Sequence, residues 1–326
     1  MSFEKRVTLN DGNAMPQMAF GTASKKGDEF ARAVEYAVKK GYRHLDMAKC
    51  YENQKEIGGA LKKLIGTVVK REDLFLTSKL WNHMHKPEDV PRALDDTLEE
   101  LGVDYLDMYM IHWPVAFDSP DGDMRPSEGG WAKLDLKTSV LDTWKAMIEL
   151  KKSGKVKSIG VSNFRTDMID VMKQETGVTP AVNEIEAHPL LPQDELVAHH
   201  RENHVVIMAY APLGRNMDDR PLLTEDPRVQ EIAKNRGVVP TQVVLAWGIQ
   251  RGNVVIPRSL NYQHIDENYE QIKLDDEEYQ HVSDLCKDND GPIRYFVPFV
   301  EMKPRWDIDV FHDPSEKDAT HQVKIK

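Results

Sequence analysis

Residues Glu29–Asp46 read EFARAVEYAVKKGYRHLD. Phe30, Ala33, Val34, Ala37 and Val38 recur at helical spacing, Gly41 follows a basic last turn, and Arg43–Asp46 is a short β-rich run. This order of amphipathic helix, glycine stop and strand is the unit from which the fold can be read. It recurs along the chain. Candidate strands lie at Leu74–Lys79, Leu106–His112, Val156–Val161, Ala181–Ile185, Val205–Tyr210 and Val254–Ile256, and a short first strand near Met18–Gly21 makes eight. Helical patterns at Asp89–Leu101, Val140–Ser153, Gln193–Asn203 and Arg228–Arg236 separate them, with Gly102 and Gly154 as further stops.

Repeated strand–helix units imply an α/β protein with a parallel sheet and helices outside it. Eight units favour a closed (β/α)8 TIM barrel, and the first strand–helix turn lacks the glycine-rich phosphate loop of an open dinucleotide-binding sheet. Val7–Leu9, Gly12 and Met15-Pro16 read as an N-terminal hairpin under the barrel. Two insertions stand out: Val115–Ser139, and a tail after about Cys286 whose Arg294–Phe299 segment is expected to close the site. The polar end from Asp313 reads as a fraying terminus. No linker or low-complexity stretch divides residues 1–326, so one barrel domain is expected.

Bulk properties exclude several classes. A net charge of −11 speaks against nonspecific nucleic-acid binding. Met1–Val7 has no apolar signal core, and no run approaches the roughly 18 apolar residues of a membrane span. Cys50 and Cys286 do not make a disulfide framework. A cytoplasmic enzyme with a small-molecule substrate and no obligate protein partner is the expectation.

In a barrel, the C-terminal ends of the strands build the site. Those ends offer Asp46, Lys79 and His112, with Tyr51 five residues past the acid. The segments GYRHLDMAKCYEN (41–53), LFLTSKLW (74–81), YMIHWP (109–114), SIGVSNF (158–164), AVNEIEAHP (181–189), AYAPLG (209–214) and VVIPRSLNYQHIDEN (254–268) occur in this order. In these segments the chain resembles the aldo-keto reductases, over most of its length, with a faint likeness in Asp118–Asp135 to their sugar- and polyol-active fungal branch.

The resemblance implies NADPH-dependent reduction of a small aldehyde, aldose or related hydroxy-carbonyl, with NADP(H) preferred and NAD(H) possible. Tyr51 would be the general acid. A phenol is weakly acidic, so Lys79 would stabilise its anion, Asp46 would hold Lys79, and neutral His112 would orient the carbonyl oxygen without a metal. For the cofactor, it implies Ser162 and Asn163 at the carboxamide, Tyr210 against the ring, Leu213-Gly214 at the pyrophosphate and Gly21-Thr22 beside the ribose. Ser259, Glu267 and Asn268 would reach the adenosine end. Trp81, Trp113 and Phe117 would wall the substrate pocket.

The chain departs from the family pattern in three places. Glu184 stands where a glutamine usually meets the carboxamide; an ionised glutamate cannot donate, and its charge would favour the oxidised cofactor. Arg258 and His264 replace the usual Lys and Arg at the 2′-phosphate. Thr22-Ala23-Ser24 lacks a common tryptophan, which opens one wall. Asn82, His83, Asn216 and Arg294 are expected at the mouth as groups for a hydroxylated substrate. The pairs His83/His85 and His199/His200 are read as no metal site and as surface residues, respectively. A cofactor-binding regulatory subunit on the same fold is the competing reading, and a metal-dependent hydrolase lacks its ligands.

Overall fold

A computed structural model describes residues 5–24, 27–215, 222–288 and 291–326. An antiparallel hairpin, β1 (Arg6–Thr8) and β2 (Ala14–Pro16), opens the chain. The barrel units follow in order: β3 (Ala19–Gly21), α1 (Gly27–Lys40), β4 (His44–Asp46), α2 (Gln54–Leu64), β5 (Phe75–Leu80), α3 (Val90–Leu101) and β6 (Leu106–Ile111). The first insertion carries a two-stranded ribbon, β7 (Ser127–Glu128) and β8 (Trp131–Ala132). Then come α4 (Val140–Lys152), β9 (Val156–Ser162), α5 (Thr166–Thr176), β10 (Val182–Glu186), α6 (Asp194–Glu202) and β11 (Val206–Tyr210). The chain continues with α7 (Pro227–Arg236), α8 (Pro240–Gln250), β12 (Val254–Ile256), α9 (Tyr262–Tyr269), α10 (Asp276–Ser283) and α11 (Pro298–Glu301).

The eight barrel strands lie side by side, all parallel, in chain order from β3 to β12. The ends meet: Met18 bridges Val255, the Gly21 N–H donates to the Pro257 carbonyl at 3.0 Å, and the Val255 N–H donates to Gln17 at 3.0 Å. At this seam a Cβ on Gly21 would sit 3.0 Å from the Ile256 side chain, so glycine fits where the first and last strands approach. The eight expected strands are present with ends shifted by a residue or so.

Local chemistry explains the helices. α1 buries Phe30, Ala33, Val34, Ala37 and Val38 against the sheet, each large side chain contributing roughly 1.5–3 kcal/mol. Ser139 caps α4 through the Asp142 N–H while Asp142 reaches back, and Asp275 and Glu278 do the same for α10. Gly102 takes the left-handed conformation after α3, with its N–H bonded to the Glu99 and Leu98 carbonyls.

The insertion and tail form one cover over the barrel mouth. The Ala132 N–H donates to the Arg305 carbonyl at 2.8 Å, and the Arg305 N–H to the Gly130 carbonyl at 3.2 Å. Two expectations need correction. The end of the chain does not fray: Val323 is buried, and Val140 and Leu141 at the start of α4 donate to the Lys324 and Ile325 carbonyls at 2.9 and 3.0 Å. The terminus therefore supplies acceptors that α4 would otherwise lack. Nor are both histidines of the pair at the surface. His200 is fully buried, its Nε2 2.9 Å from Asn183 Nδ2, while His199 faces Asp170 at 2.8 Å.

Candidate active site

A cleft of about 560 Å³ opens at the C-terminal ends of the strands. At its floor, β4 ends in Asp46, β5 carries Lys79, β6 leads into His112, and a 3₁₀ turn (Lys49–Tyr51) delivers Tyr51. Lys79 is completely buried, its Nζ donating to Asp46 Oδ1 at 2.6 Å and to the Met47 carbonyl at 3.1 Å. The same Nζ stands 5.4 Å from the centre of the Tyr51 ring. The His112 ring meets that ring edge-on at 5.8 Å, so the four strand-end residues do converge.

Electrostatics follow from this packing. Burial pulls the Lys79 pKa down, but Asp46, Glu184 and Tyr51 outweigh it and hold the ammonium well above its usual range. Burial, then Lys79 and His85, push His112 well below its usual range, so the imidazole is neutral. Tyr51 is lifted well above the ordinary phenol range by burial; Lys79 opposes the rise, while Asp46 and Glu184 add to it. The expectation that Lys79 makes the phenol acidic thus meets a counterweight: its charge is divided between two carboxyl groups.

The second of these is Glu184 on β10. Its Oε2 lies 3.3 Å from Lys79 Nζ, within ion-pair range but outside hydrogen-bond geometry. Burial first, then the Asp46 charge, push its pKa up to about 8, with Lys79 pulling the other way. Burial and Asp46 thus both oppose the bare charge expected beside the cofactor. Both influences favour the protonated acid, and a protonated Glu184 could both donate and accept, as a glutamine would.

Around the floor, Ser162 Oγ donates to the Glu184 carbonyl at 2.9 Å, and Asn163 Nδ2 donates to the His112 carbonyl at 3.0 Å. Asn163, at a left-handed φ of 65°, accepts from Tyr210 Oη at 2.9 Å. Gly21, Asn163, Glu184, Tyr210, Leu213, Gly214 and Arg258 line the cleft. Thr22 does not line it. Its hydroxyl is turned to the Asp46 carbonyl at 2.8 Å, tying β3 to β4. Beyond the rim, Ser259 Oγ accepts from Asn261, Glu267 accepts from Gln263 at 2.7 Å, and His264 sits exposed in the first turn of α9. Asn268 Oδ1 is buried without a partner, an acceptor suited to an incoming N–H. Arg258 is exposed, with its guanidinium on the Ala23 carbonyl.

The other half of the cleft is aromatic. Trp81, Trp113 and Phe117 line it as expected, joined by Trp306, whose ring lies 6.2, 5.2 and 5.1 Å from theirs. From the tail, Phe296, Met302, Lys303 and Pro304 also line the cleft, Phe296 meeting Tyr210, and Ala23 lines it without a large side chain. Arg125 comes from the insertion and lines the cleft while bonding Glu52 at 3.0 Å and the Cys50 carbonyl at 3.2 Å. Cys50 Sγ stands 3.5 Å from His112 Nδ1, which leaves Nε2 as the free nitrogen of that ring. Trp306 and Arg125 had no sequence pattern that assigned them to the site, whereas Cys50 immediately precedes Tyr51 in the 41–53 segment.

Three of the four residues expected at a polar mouth do not line the cleft. Asn82 is fully buried, and His83 does not line the cleft. Arg294 packs on Phe311 at 4.0 Å and borders a separate cavity of about 270 Å³. Asn216 lies outside the described residues. No three His, Cys, Asp or Glu side chains gather as a metal would require, and no helix is long and apolar enough to cross a membrane, among the described residues.

A closed parallel barrel that buries a Lys–carboxylate pair beside a tyrosine and a neutral histidine, under a cleft with both aromatic and cationic walls, defines a class: barrel oxidoreductases of carbonyl and alcohol groups. The sequence profile described as "Aldo/keto reductase family" matches residues 17–287. The chain is 46% identical to D/L-glyceraldehyde reductase of Hypocrea jecorina over the whole of both proteins. It is 40% identical to aldo-keto reductase family 1 member A1 of Gallus gallus, covering 97% of this chain and 95% of the relative. The aldose reductase structure from Schistosoma japonicum superposes with a TM-score of 0.82 at 37% identity, covering 90% and 94% of the two chains. This chain belongs to the aldo/keto reductase family, whose members work with nicotinamide dinucleotides.

Proposed function

We propose that this enzyme reduces small hydroxy-aldehydes with NADPH, Tyr51 giving the proton. The observation that carries the reading is the buried Asp46–Lys79 pair held against Tyr51 and neutral His112 at the floor of the cleft. When bound, the nicotinamide supplies a hydride to the carbonyl carbon. Charge then grows on the carbonyl oxygen, which the free nitrogen of His112 can meet as a donor. Tyr51 holds its proton firmly in the resting site, yet an alkoxide is a far stronger base than a phenolate, so the transfer runs downhill. Lys79 stabilises the phenolate left behind, and Asp46 keeps Lys79 charged and in place.

For the cofactor, Ser162, Asn163 and Glu184 would hold the carboxamide, Tyr210 the ring face, and Leu213 and Gly214 the pyrophosphate. Gly21 would border the ribose, with Ser259, Glu267 and Asn268 at the adenosine end. Arg258, able to grip phosphate with two donors, favours NADP(H) over NAD(H), with His264 as a weaker neighbour. The similarity to a fungal glyceraldehyde reductase supports a short hydroxylated aldehyde, and Arg125 offers a donor for its hydroxyl groups. We place the enzyme in the cytoplasm, acting as one barrel domain without an obligate partner.

The test is NADPH oxidation over a panel of glyceraldehyde, aldoses, uronic acids and apolar aldehydes, with wild type beside Tyr51→Phe. Turnover that is greatest on glyceraldehyde and lost in the variant is expected. Unchanged turnover in Tyr51→Phe would overturn the proton-donor role, and a preference for apolar aldehydes would overturn the substrate class.

A further inference from the structure

Asp46, Lys79 and Glu184 present two carboxyl groups to a single ammonium, and all three are at most 4% exposed at the side chain. With both acids ionised, the group would carry one uncompensated negative charge at the floor of the cleft, where little water reaches it. Lys79 spends its bonds on Asp46 and the Met47 carbonyl, so Glu184 Oε2 lacks a donor of its own. A proton held between the two carboxyls removes the surplus charge, as in other buried acid pairs.

We propose that Glu184 is a positioning residue that shares a proton with Asp46, and that loss of this proton turns the site from favouring reduced cofactor to favouring oxidised cofactor. This rests on the nicotinamide reading above and deepens it. Protonated, Glu184 donates to Asp46 and keeps an oxygen free for the carboxamide amine; the floor is then neutral overall. Deprotonated, it places a charge beside the ring, where the oxidised, cationic form gains and the neutral reduced form does not. The same charge strengthens Tyr51's hold on its proton.

The groups that face Glu184 support the assignment. From β4 comes Asp46, from β5 Lys79, and from the 3₁₀ turn Tyr51 and Cys50, whose thiol burial lifts to about 12. His112 after β6 is neutral, β9 offers the Ser162 hydroxyl, and β11 the Tyr210 phenol, itself raised. Glu186 on the same strand is engaged elsewhere, by His188 and two loop N–H groups. Lys79 is the one cation in contact with the pair among the described residues. Burial and Asp46 together put the titration at about 8, within reach of ordinary assays.

The experiment measures NADPH and NADP+ dissociation constants by fluorescence titration from about pH 6 to about pH 10. In wild type the preference for NADP+ should rise with pH by a factor on the order of ten, the effect of one charge screened at an intermediate dielectric. The 2′-phosphate and its partners are common to both forms and cancel in the ratio. Glu184→Gln should hold the low-pH ratio throughout. Infrared spectra of the cofactor-free wild type should show a protonated-carboxyl stretch at neutral pH that bleaches as the pH rises, and this readout needs no variant. A flat wild-type ratio, a Glu184→Gln ratio that still moves with pH, or no protonated carboxyl overturns the proposal. Failure of either cofactor form to bind overturns the nicotinamide reading itself.

Discussion

Glu186 fixes the loop that covers the cleft, and its conversion to glutamine should loosen that loop by a calculable amount. The carboxylate sits at the end of β10 with no exposure. Its Oε1 accepts from the Tyr295 N–H at 2.8 Å and from His188 Nε2 at 3.0 Å; its Oε2 accepts from the Phe296 N–H at 3.0 Å. Phe296 lines the cleft and meets Tyr210 edge-on at 5.5 Å, so these bonds seat a side chain of the site. Glutamine has the same shape but one oxygen, so an NH2 group must face one of the two N–H donors. A hydrogen bond to a charged group is worth about 1.5–3 kcal/mol. The released N–H finds water when the loop opens, which puts the net loss near the lower end, about 2 kcal/mol. At 1.4 kcal/mol per decade, the closed loop loses roughly 30-fold against the open one. Stopped-flow measurement of NADPH release and steady-state KM for the carbonyl would register this. Both should rise by up to about 30-fold, with a much smaller fall in kcat and little change in the melting temperature of the barrel. Release and KM within twofold of wild type would refute the claim that this carboxylate holds the cover down.

Two further outcomes are expected. Desolvation pushes the pKa of Cys50, a partly exposed residue at the cleft, up to about 12, so iodoacetamide at pH 8 should modify it much more slowly than a free thiol, as peptide mass spectrometry would show; labelling at the rate of a free thiol would contradict the packing beside His112. Burial also depresses His44 and His85 to about 3. Because these folded pKa values lie below the unfolded value, stability is full above about pH 6.5 and falls as the pH drops towards 3, by about 1.4 kcal/mol per pH unit for each histidine. Urea unfolding between pH 5 and 4 should show that slope, and His85→Gln should remove one histidine's share; an unchanged slope in the variant would refute it.

The barrel and its floor were legible because both follow from short-range rules. Helix spacing, glycine stops and strand runs gave the eight units, and the rule that sites form at strand ends pointed to Asp46, Lys79 and His112. What could not be read depends on residues far apart in sequence. Trp306 sits in a tail with no periodicity, and it reaches Trp113 and Phe117 only because Arg305 pairs with Gly130 and Ala132 in the insertion. His200 looked like its neighbour His199, yet the turn of α6 aims one at Asn183 in the interior and the other at Asp170. Glu184 was visible as a substitution, but its charge depends on Asp46 and Lys79, which arrive from other strands.

The same distance-dependent charges show how an acidic protein can bind an anionic cofactor. The chain carries −11 overall, a long-range field that repels a dinucleotide phosphate. Screening confines that repulsion to roughly 8 Å at physiological salt, so groups at the binding surface decide the outcome. Arg125, Arg215, Arg258 and Lys303 all line the cleft. Its two lining acids, Asp46 and Glu184, lie at the floor, where Lys79 and one shared proton neutralise them. Arg215 and Arg258 thus stand on the proposed cofactor side and Arg125 and Lys303 on the proposed substrate side, around a floor whose charges cancel. An uncharged carbonyl meets no field that would exclude it, and the phosphates meet one that attracts them. Deprotonating Glu184 changes only the floor, which is why its effect should appear in the choice between reduced and oxidised cofactor and be almost absent from the affinity contributed by the phosphates.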